Sequence, residues 1–112
     1  MSKSNKNMSF TGHEAHNISL ADASALTKNF RDSQSGSGFI LGEYFSKDAI
    51  NSVLNQTNCV GIRIYYGLDS SNVPKQVIVG VLANENDMTS GAILEFGSPC
   101  PPGCSTSNSL NS

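Results

Sequence analysis

Two stretches decide the fold, Val60-Gly-Ile-Arg-Ile-Tyr-Tyr-Gly67 and Gln76-Val-Ile-Val-Gly-Val-Leu82. Both are rich in β-branched and aromatic residues, which are typical of strands, and the first alternates apolar residues with a period of two. Between them, Asp69-Ser-Ser-Asn-Val-Pro74 has the composition of a hairpin connection. The sequence therefore predicts an antiparallel β-hairpin.

A third apolar segment, Ala92–Phe96, can extend the hairpin by one antiparallel strand. We expect Leu94 and Phe96 to bury against the strand Val60–Gly67. Because both faces of the two central strands carry apolar residues, we also expect the sheet to be covered on both sides. Ahead of the hairpin, Phe39–Leu41 predicts one more brief strand.

Two helices are predicted before the hairpin. Ser19-Leu-Ala-Asp22 resembles a capping box and begins a helix over residues 20–32. Ser46 is the expected N-cap of the second helix. The apolar positions at helical spacing are Leu20, Ala23, Leu26 and Phe30 in the first helix and Phe45, Ala49, Ile50, Val53 and Leu54 in the second.

Together these segments predict an α+β fold, with two helices packed on a small antiparallel sheet of three to four strands. Residues 18–104 form the expected single domain. Residues 1–17 and 105–112 hold few large apolar side chains, and they predict a polar N-terminal arm and a polar C-terminal tail.

The charge pattern narrows the classes of partner. The 112 residues include 7 Lys and Arg, which are scattered, and the formal net charge is −2. Nucleic-acid binding requires a basic stripe that neutralises phosphates, so we expect no nucleic-acid partner. No apolar run approaches the roughly 18 residues of a membrane span, and no apolar region follows the basic residues near Met1. We therefore expect no membrane insertion and a cytoplasmic location.

The segment Ser98-Pro-Cys-Pro-Pro-Gly-Cys104 comes closest to chemistry, because its prolines restrict the backbone around two thiols. Cys100 and Cys104 allow three interpretations: thiols packed in a structural turn, a disulfide, and a metal or redox site. We expect the structural turn, since reactive dithiols usually lie at a helix N-terminus and no helix is predicted after Cys104. Cys59, at the head of a strand, is expected to be a small buried hydrophobe.

Two histidines raise a further metal hypothesis. His13-Glu-Ala-His16 is one residue short of the HExxH spacing and has no helical period around it. A zinc set of His13, His16, Cys100 and Cys104 requires the two termini to converge, and no spacing rule supports that. We interpret the histidines as part of the polar arm and predict no metal and no other cofactor.

Arg63 and Tyr65 lie on one face of a predicted strand and could bind an anion. Arginine in a strand commonly pairs across the sheet, however, and tyrosine is a favourable strand residue. The sequence has no phosphate-binding loop of the usual kind and no Ser/His/Asp spacing. We therefore predict no catalytic residue and no enzyme.

The sequence resembles a group of small uncharacterised proteins from Bacteroidetes in the segments Gly42–Ile50, Gln56–Gly67, Val77–Val81 and Pro99–Cys104. The shared features are a similar helix, a Cys-Val-Gly-Ile-Arg strand and a terminal Cys-Pro-Pro-x-Cys. The resemblance covers residues 18–112. That group carries no assigned activity, so the resemblance implies neither a substrate nor a catalytic residue.

The predicted function is a small non-enzymatic structural or protein-interaction module. We expect it to self-associate, with its arms and a free sheet edge contacting neighbouring copies or another protein. The alternative is a metal-binding or thiol-redox module that uses Cys100 and Cys104.

Overall fold

A computed structural model of the protein describes residues 9–112. Its elements in chain order are α1 (Leu20–Ser33), β1 (Gly42–Tyr44), α2 (Lys47–Leu54), β2 (Cys59–Leu68), β3 (Pro74–Leu82), β4 (Ile93–Leu94) and β5 (Ser98–Cys100). The strands form two antiparallel sheets, one with the order β2-β3-β4 and one that pairs β1 with β5. The predicted α+β class is confirmed.

The chain divides into two compact units. The first contains the described residues 9–15 and 45–97, and therefore α2 and the three-stranded sheet. The second contains residues 16–44 and 98–112, and therefore α1 and the two-stranded sheet. This division follows contacts and does not coincide with the predicted arm, domain and tail. Residues 1–8 of the predicted arm lie outside the described residues.

In the first unit, the predicted hairpin is confirmed. Strands β2 and β3 pair along their length, with a bulge between Cys59 and Gly61. The connection is held by the Asp69 carboxylate, which accepts hydrogen bonds from the N–H groups of Ser71 and Val73. The Val73 bond, followed by the Ser71 bond, lowers the pKa of Asp69. This is an Asx-type turn, which explains why Asp begins the connection.

Helix α2 packs on β2 and β3. Its predicted N-cap is confirmed, since the Ser46 hydroxyl accepts a hydrogen bond from the Ala49 N–H at 3.1 Å. Val53 is fully buried, whereas Leu54 is exposed, so the apolar face of α2 is narrower than the sequence predicted. After the helix, the Gln56 side chain donates to the Val53 carbonyl and accepts from the Ala92 N–H. It thereby ties the end of α2 to the segment that leads into β4.

The third strand exists, but its position corrects one prediction. Strand β4 pairs with β3, placing Leu94 opposite Ile78. Phe96 is 89% exposed and has a positive φ. The prediction that Leu94 and Phe96 bury against β2 is therefore wrong. The reason is topological, because β4 takes the edge of β3 that the hairpin leaves open.

In the second unit, α1 begins where it was predicted. The Ser19 hydroxyl accepts a hydrogen bond from the Asp22 N–H at 3.0 Å. No residue of α1 is buried, so its predicted apolar face is only partly covered. The C-terminal residues lie against this helix. Arg31 donates to the main-chain oxygens of Leu110 and Ser112, and the Ser24 hydroxyl donates to that of Ser109.

The short strand before α2 lies three residues later than predicted. Phe39–Leu41 is not a strand, and β1 instead spans Gly42–Tyr44. Its partner is β5, with Gly42 opposite Cys100, and the Leu41 N–H donates to the Cys100 carbonyl at 2.7 Å. The sequence did not predict this pairing, because β5 belongs to the proline-rich segment, which has no strand pattern.

Candidate functional site

The free edge of β2 is the candidate site. In the order β2-β3-β4, β3 is central and β2 is an outer strand of ten residues. Within residues 9–112, the strand that pairs with β2 is β3 alone. An outer strand of this length presents a row of backbone donors and acceptors to any other strand that approaches it.

The hydrogen bonds of β3 determine which β2 groups face outward. The Gly80 carbonyl accepts from the Met88 N–H and the Leu82 N–H donates to the Asn86 carbonyl, so both residues point away from β2. Backbone polar groups alternate sides along a strand, and residues opposite each other at such positions point apart. Ile62 lies opposite Gly80. The backbone groups of Ile62, Ile64 and Tyr66 therefore face the free edge.

The position of Pro74 is consistent with this alternation of outward and inward backbone groups. It is the first residue of β3 and lies opposite Leu68. By the same parity, Leu68 and Pro74 form a pair that exchanges no hydrogen bonds, so the N–H that proline lacks is not needed there. The hairpin can therefore begin with proline without losing a bond of the β2–β3 ladder.

The side chains along the free edge are apolar and exposed. The exposed fractions are 37% for Ile62, 43% for Ile64, 91% for Tyr66 and 66% for Leu68. These four residues alternate along β2, so their side chains lie on one face of the sheet. It is the face of Gly80, whose missing side chain would meet Gln56 and Cys59. We call the outward backbone groups and these four side chains the β2 edge.

The β2 edge lacks the usual protection of an outer strand. Natural edges are commonly interrupted by Lys, by Pro or by a bulge. Here the bulge lies at the start of β2, between Cys59 and Gly61. From Gly61 to Leu68 the strand has no proline, and its one charged residue is Arg63. The side chain of Arg63 lies on the opposite face and is directed into its own unit.

Arg63, Tyr65 and Asp87 form a polar cluster on that opposite face. Arg63 forms an ion pair with one oxygen of Asp87 and donates to the Glu85 carbonyl, while the Tyr65 hydroxyl donates to the other oxygen of Asp87. The guanidinium also lies 6.0 Å from the centre of the Phe10 ring. The sequence suggested that Arg63 and Tyr65 could bind an anion. In the structure, both side chains contact a carboxylate of the same chain, that of Asp87. Their contacts are those of a pair that fixes the turn before β4.

The pKa values in this cluster shift in opposite directions. The hydrogen bond from Tyr65, with Arg63 beside it, lowers the pKa of Asp87. The same hydrogen bond to a carboxylate raises the pKa of Tyr65. Both shifts favour the ionised Asp87 and the neutral Tyr65. Near neutral pH, Asp87 is therefore ionised and Tyr65 is neutral, and the hydrogen bond between them is kept.

Cys100 and Cys104 form a disulfide, with their Cα atoms 4.7 Å apart. The disulfide was one of the three interpretations of this pair. We had expected packed free thiols in a structural turn, and the structure contains the disulfide instead. The loop after β5 makes this closure, with cis peptide bonds before Pro101 and Pro102. Cys59 is a free cysteine of intermediate exposure and not a fully buried one.

The histidines are exposed. His13 lies in a turn in which the N–H groups of Thr11 and Gly12 donate to the Glu14 carboxylate, and the Thr11 bond chiefly lowers the pKa of Glu14. His16 belongs to the other unit. Among residues 9–112, no cluster of three or more His, Cys, Asp and Glu side chains is placed to hold a metal ion.

Comparisons with known proteins add no assignment. No family model, no curated protein and no solved structure matches the chain. Along the part of the chain that the structure describes, none of the helices has the length and apolar content to cross a bilayer.

Proposed function

We propose that the protein is a small non-enzymatic interaction module that self-associates through the β2 edge. The observation that carries this proposal is the coincidence, on one strand, of outward backbone groups that no other strand of residues 9–112 pairs with and of exposed apolar side chains. A second β2 satisfies both features at once. Its backbone completes the ladder, and its Ile and Tyr side chains cover those of the first copy.

A second copy suits the β2 edge better than an unrelated strand. The edge carries no free charge that a partner of opposite charge would recognise, because the guanidinium of Arg63 is engaged by Asp87. Its side chains are branched or aromatic, and such residues pair favourably across strands with residues of the same kind. The proposal therefore commits to a homo-oligomer.

Sedimentation velocity over a wide range of protein concentration tests this proposal. We expect the mass of the unmodified chain to rise with concentration. Ile64→Lys should remain monomeric, because it places an ammonium group in the middle of the contact. Ile18→Lys is the matched control, since Ile18 is also exposed, at 58%, and lies in the other unit. A monomeric mass for the unmodified chain at every concentration would contradict the proposal.

The polar N-terminal arm is the second part of the proposal. Phe10 anchors it to the first unit, because its N–H donates to the Ala83 carbonyl and its ring lies beside Arg63. Removing only residues 1–8 therefore leaves this anchor in place. If the arm contributes, the shortened chain should associate more weakly. Equal association of the two chains removes the arm from the proposal and leaves the β2 edge.

The metal and thiol-redox alternative rests on Cys100 and Cys104. Residues 105–112 form turns and no helix, so no helix N-terminus follows Cys104 to stabilise a thiolate. Elemental analysis for zinc and iron, with thiol titration after mild reduction, distinguishes the two functions. A stoichiometric metal in the reduced protein would favour the alternative.

The cytoplasmic location also remains a prediction. Disulfides are rare in reducing compartments. Trapping thiols in intact cells therefore tests the location through the state of Cys100 and Cys104. Reduced thiols agree with a cytoplasmic protein, and a persistent disulfide argues for an oxidising compartment.

A further inference from the structure

We infer that two copies pair their β2 strands antiparallel about a two-fold axis at Ile64, which gives a closed dimer with one continuous sheet. This inference rests on the proposed function and adds the register, the symmetry and the closure of the assembly. Three observations support it. The backbone groups of β2 alternate between facing β3 and facing outward, and the charged cluster of β2 is that of Arg63. The two outer strands of the sheet also differ in length, with ten residues in β2 and two in β4.

The alternation limits the registers. Only residues whose N–H and C=O face outward can exchange hydrogen bonds with the partner, and in β2 these include Ile62, Ile64, Tyr66 and, by the same parity, Leu68. A two-fold axis at Ile64 places Ile64 opposite its own counterpart and Ile62 opposite Tyr66 of the partner copy. Ile62, Ile64 and Tyr66 of each copy are then paired with one another, which gives about six backbone hydrogen bonds. The axis also lies near the middle of Cys59–Leu68, so the overlap of the strands is almost complete.

The charges on the other face select this register over its two nearest neighbours. An axis at Arg63 would place two guanidinium groups directly opposite each other, and an axis at Tyr65 would bring two Tyr65–Asp87 pairs face to face. Like charges directly opposite each other destabilise a pair of strands. With the axis at Ile64, each Arg63 lies opposite Tyr65 of the partner copy, whose hydroxyl binds Asp87. The positive and negative groups of the two copies then alternate.

The apolar face gains a continuous cover in the same arrangement. A two-fold axis perpendicular to the sheet keeps both copies of α2 on one face. Ile62, Ile64, Tyr66 and Leu68 of both copies lie on that face. Three of these exposed side chains, Ile62, Ile64 and Tyr66, thus meet those of the other copy along the seam, with Ile64 at its centre. This accounts for apolar residues that α2, with eight residues, leaves uncovered.

The assembly closes at two copies. Within residues 9–112, each copy has one long sheet edge that no strand pairs with, at β2. The two-fold axis pairs this edge with itself, as in an isologous interface. The opposite edge of the sheet is β4, which has only two residues. So short an edge offers little to a further strand. We therefore expect dimers and not fibres.

Cysteine cross-linking decides the register. In a Cys59→Ser background, Ile62→Cys, Ile64→Cys and Tyr66→Cys are oxidised singly and as equimolar pairs, and dimers are scored on non-reducing gels. Cα atoms of a hydrogen-bonded antiparallel pair are about 5.5 Å apart, which suits a disulfide. We expect Ile64→Cys to cross-link alone. Ile62→Cys and Tyr66→Cys should cross-link only when mixed, because like positions in this register are about 13 Å apart.

The other patterns overturn the inference in distinct ways. If Ile64→Cys does not cross-link alone, cross-linking in its mixture with Ile62→Cys would move the axis to Arg63, and cross-linking in its mixture with Tyr66→Cys would move the axis to Tyr65. In both cases the proposed function stands and the register fails. A ladder of species larger than a dimer would refute closure. Absence of cross-linking in chains that sediment as dimers would place the contact elsewhere, and absence of any dimer would overturn the proposed function itself.

Discussion

Strands β2 and β3 belong to the same hairpin and have similar composition, yet they meet different environments. In β3, Ile78, Val79 and Val81 are buried, with exposed fractions of 2–3%. In β2, Ile62 and Ile64 are 37% and 43% exposed. Ile64 and Ile78 are directly opposite each other in the ladder, so the same residue in the same hairpin is largely exposed in one strand and buried in the other.

The difference teaches that position in the sheet, and not β-propensity, decides what a strand does here. Strand β3 has a neighbour on each side and forms the core of its unit. Strand β2 has one neighbouring strand, and no other strand among the described residues pairs with its second side. Residues that serve stability in β3 are therefore available for association in β2.

The largest expected effect comes from truncating the opposed isoleucines. Ile78→Ala should lower the free energy of unfolding by about 2–4 kcal/mol, because it leaves a cavity in the core. Ile64→Ala should cost less than about 1 kcal/mol in the dilute protein, because its side chain is partly solvated. Urea unfolding at low protein concentration measures both. Equal losses would show that β2 is as buried as β3 and would remove the basis of the comparison.

The second expected effect compares two glycines. A side chain at Gly80 of β3 would meet Gln56 Nε2 at 2.8 Å, Met88 Sδ at 3.0 Å and Cys59 Sγ at 3.1 Å, whereas nothing lies within 4 Å of one at Gly61 of β2. Gln56 cannot retreat freely, since it is hydrogen-bonded at both ends of its amide.

Gly80→Ala should therefore destabilise the protein by about 1–3 kcal/mol through overpacking. Gly61→Ala should change stability by no more than about 0.5 kcal/mol in either direction. Thermal unfolding of the two variants side by side is sufficient. A neutral Gly80→Ala would mean that α2 and its following residues are less closely packed on β3 than described.

These contrasts also mark how far the sequence could predict the structure. The hairpin, both N-caps and the α+β class followed from local patterns, because Ser19, Ser46 and the alternation of β2 act within a few residues. A free sheet edge was expected, but the strand that carries it did not follow from the sequence, since this depends on the pairing of β4 with β3. The sequence also did not predict the pairing of β1 with β5 or the contact of Arg31 with the C-terminal residues. Both use main-chain groups, which every residue has, so no residue pattern indicates them.

The smallest expected effect concerns the polar face of β2. The pKa of Asp87 is lowered in the folded state, so its contribution to stability is present above its unfolded value near 3.8 and is lost as pH falls through the folded value. Tyr65→Phe removes the main cause. The urea midpoint of this variant should therefore be lower than that of the unmodified protein near pH 6 and should fall less on acidification, so that the two midpoints converge towards about pH 2.

At alkaline pH, the contribution of Tyr65 to stability changes in the opposite direction. The pKa of Tyr65 is raised, so its contribution is present below its unfolded value of 10.0 and is lost as pH rises through the folded value. Tyr65→Phe should abolish that loss. Tyr66→Phe is the matched control, because Tyr66 is the next residue of β2 and is 91% exposed. Identical acid limbs for the two variants would show that the Tyr65–Asp87 bond contributes nothing.

Amide hydrogen exchange, measured residue by residue at low and high protein concentration, tests the central claim most directly. In the dilute protein, the N–H groups of Ile62, Ile64 and Tyr66 should exchange fast, and those of Arg63 and Tyr65 should exchange slowly because they face β3. At high concentration the first three should become slow while the others remain unchanged. Fast exchange of Ile62, Ile64 and Tyr66 in chains shown to be associated would contradict the claim that the β2 edge is where copies of this protein meet.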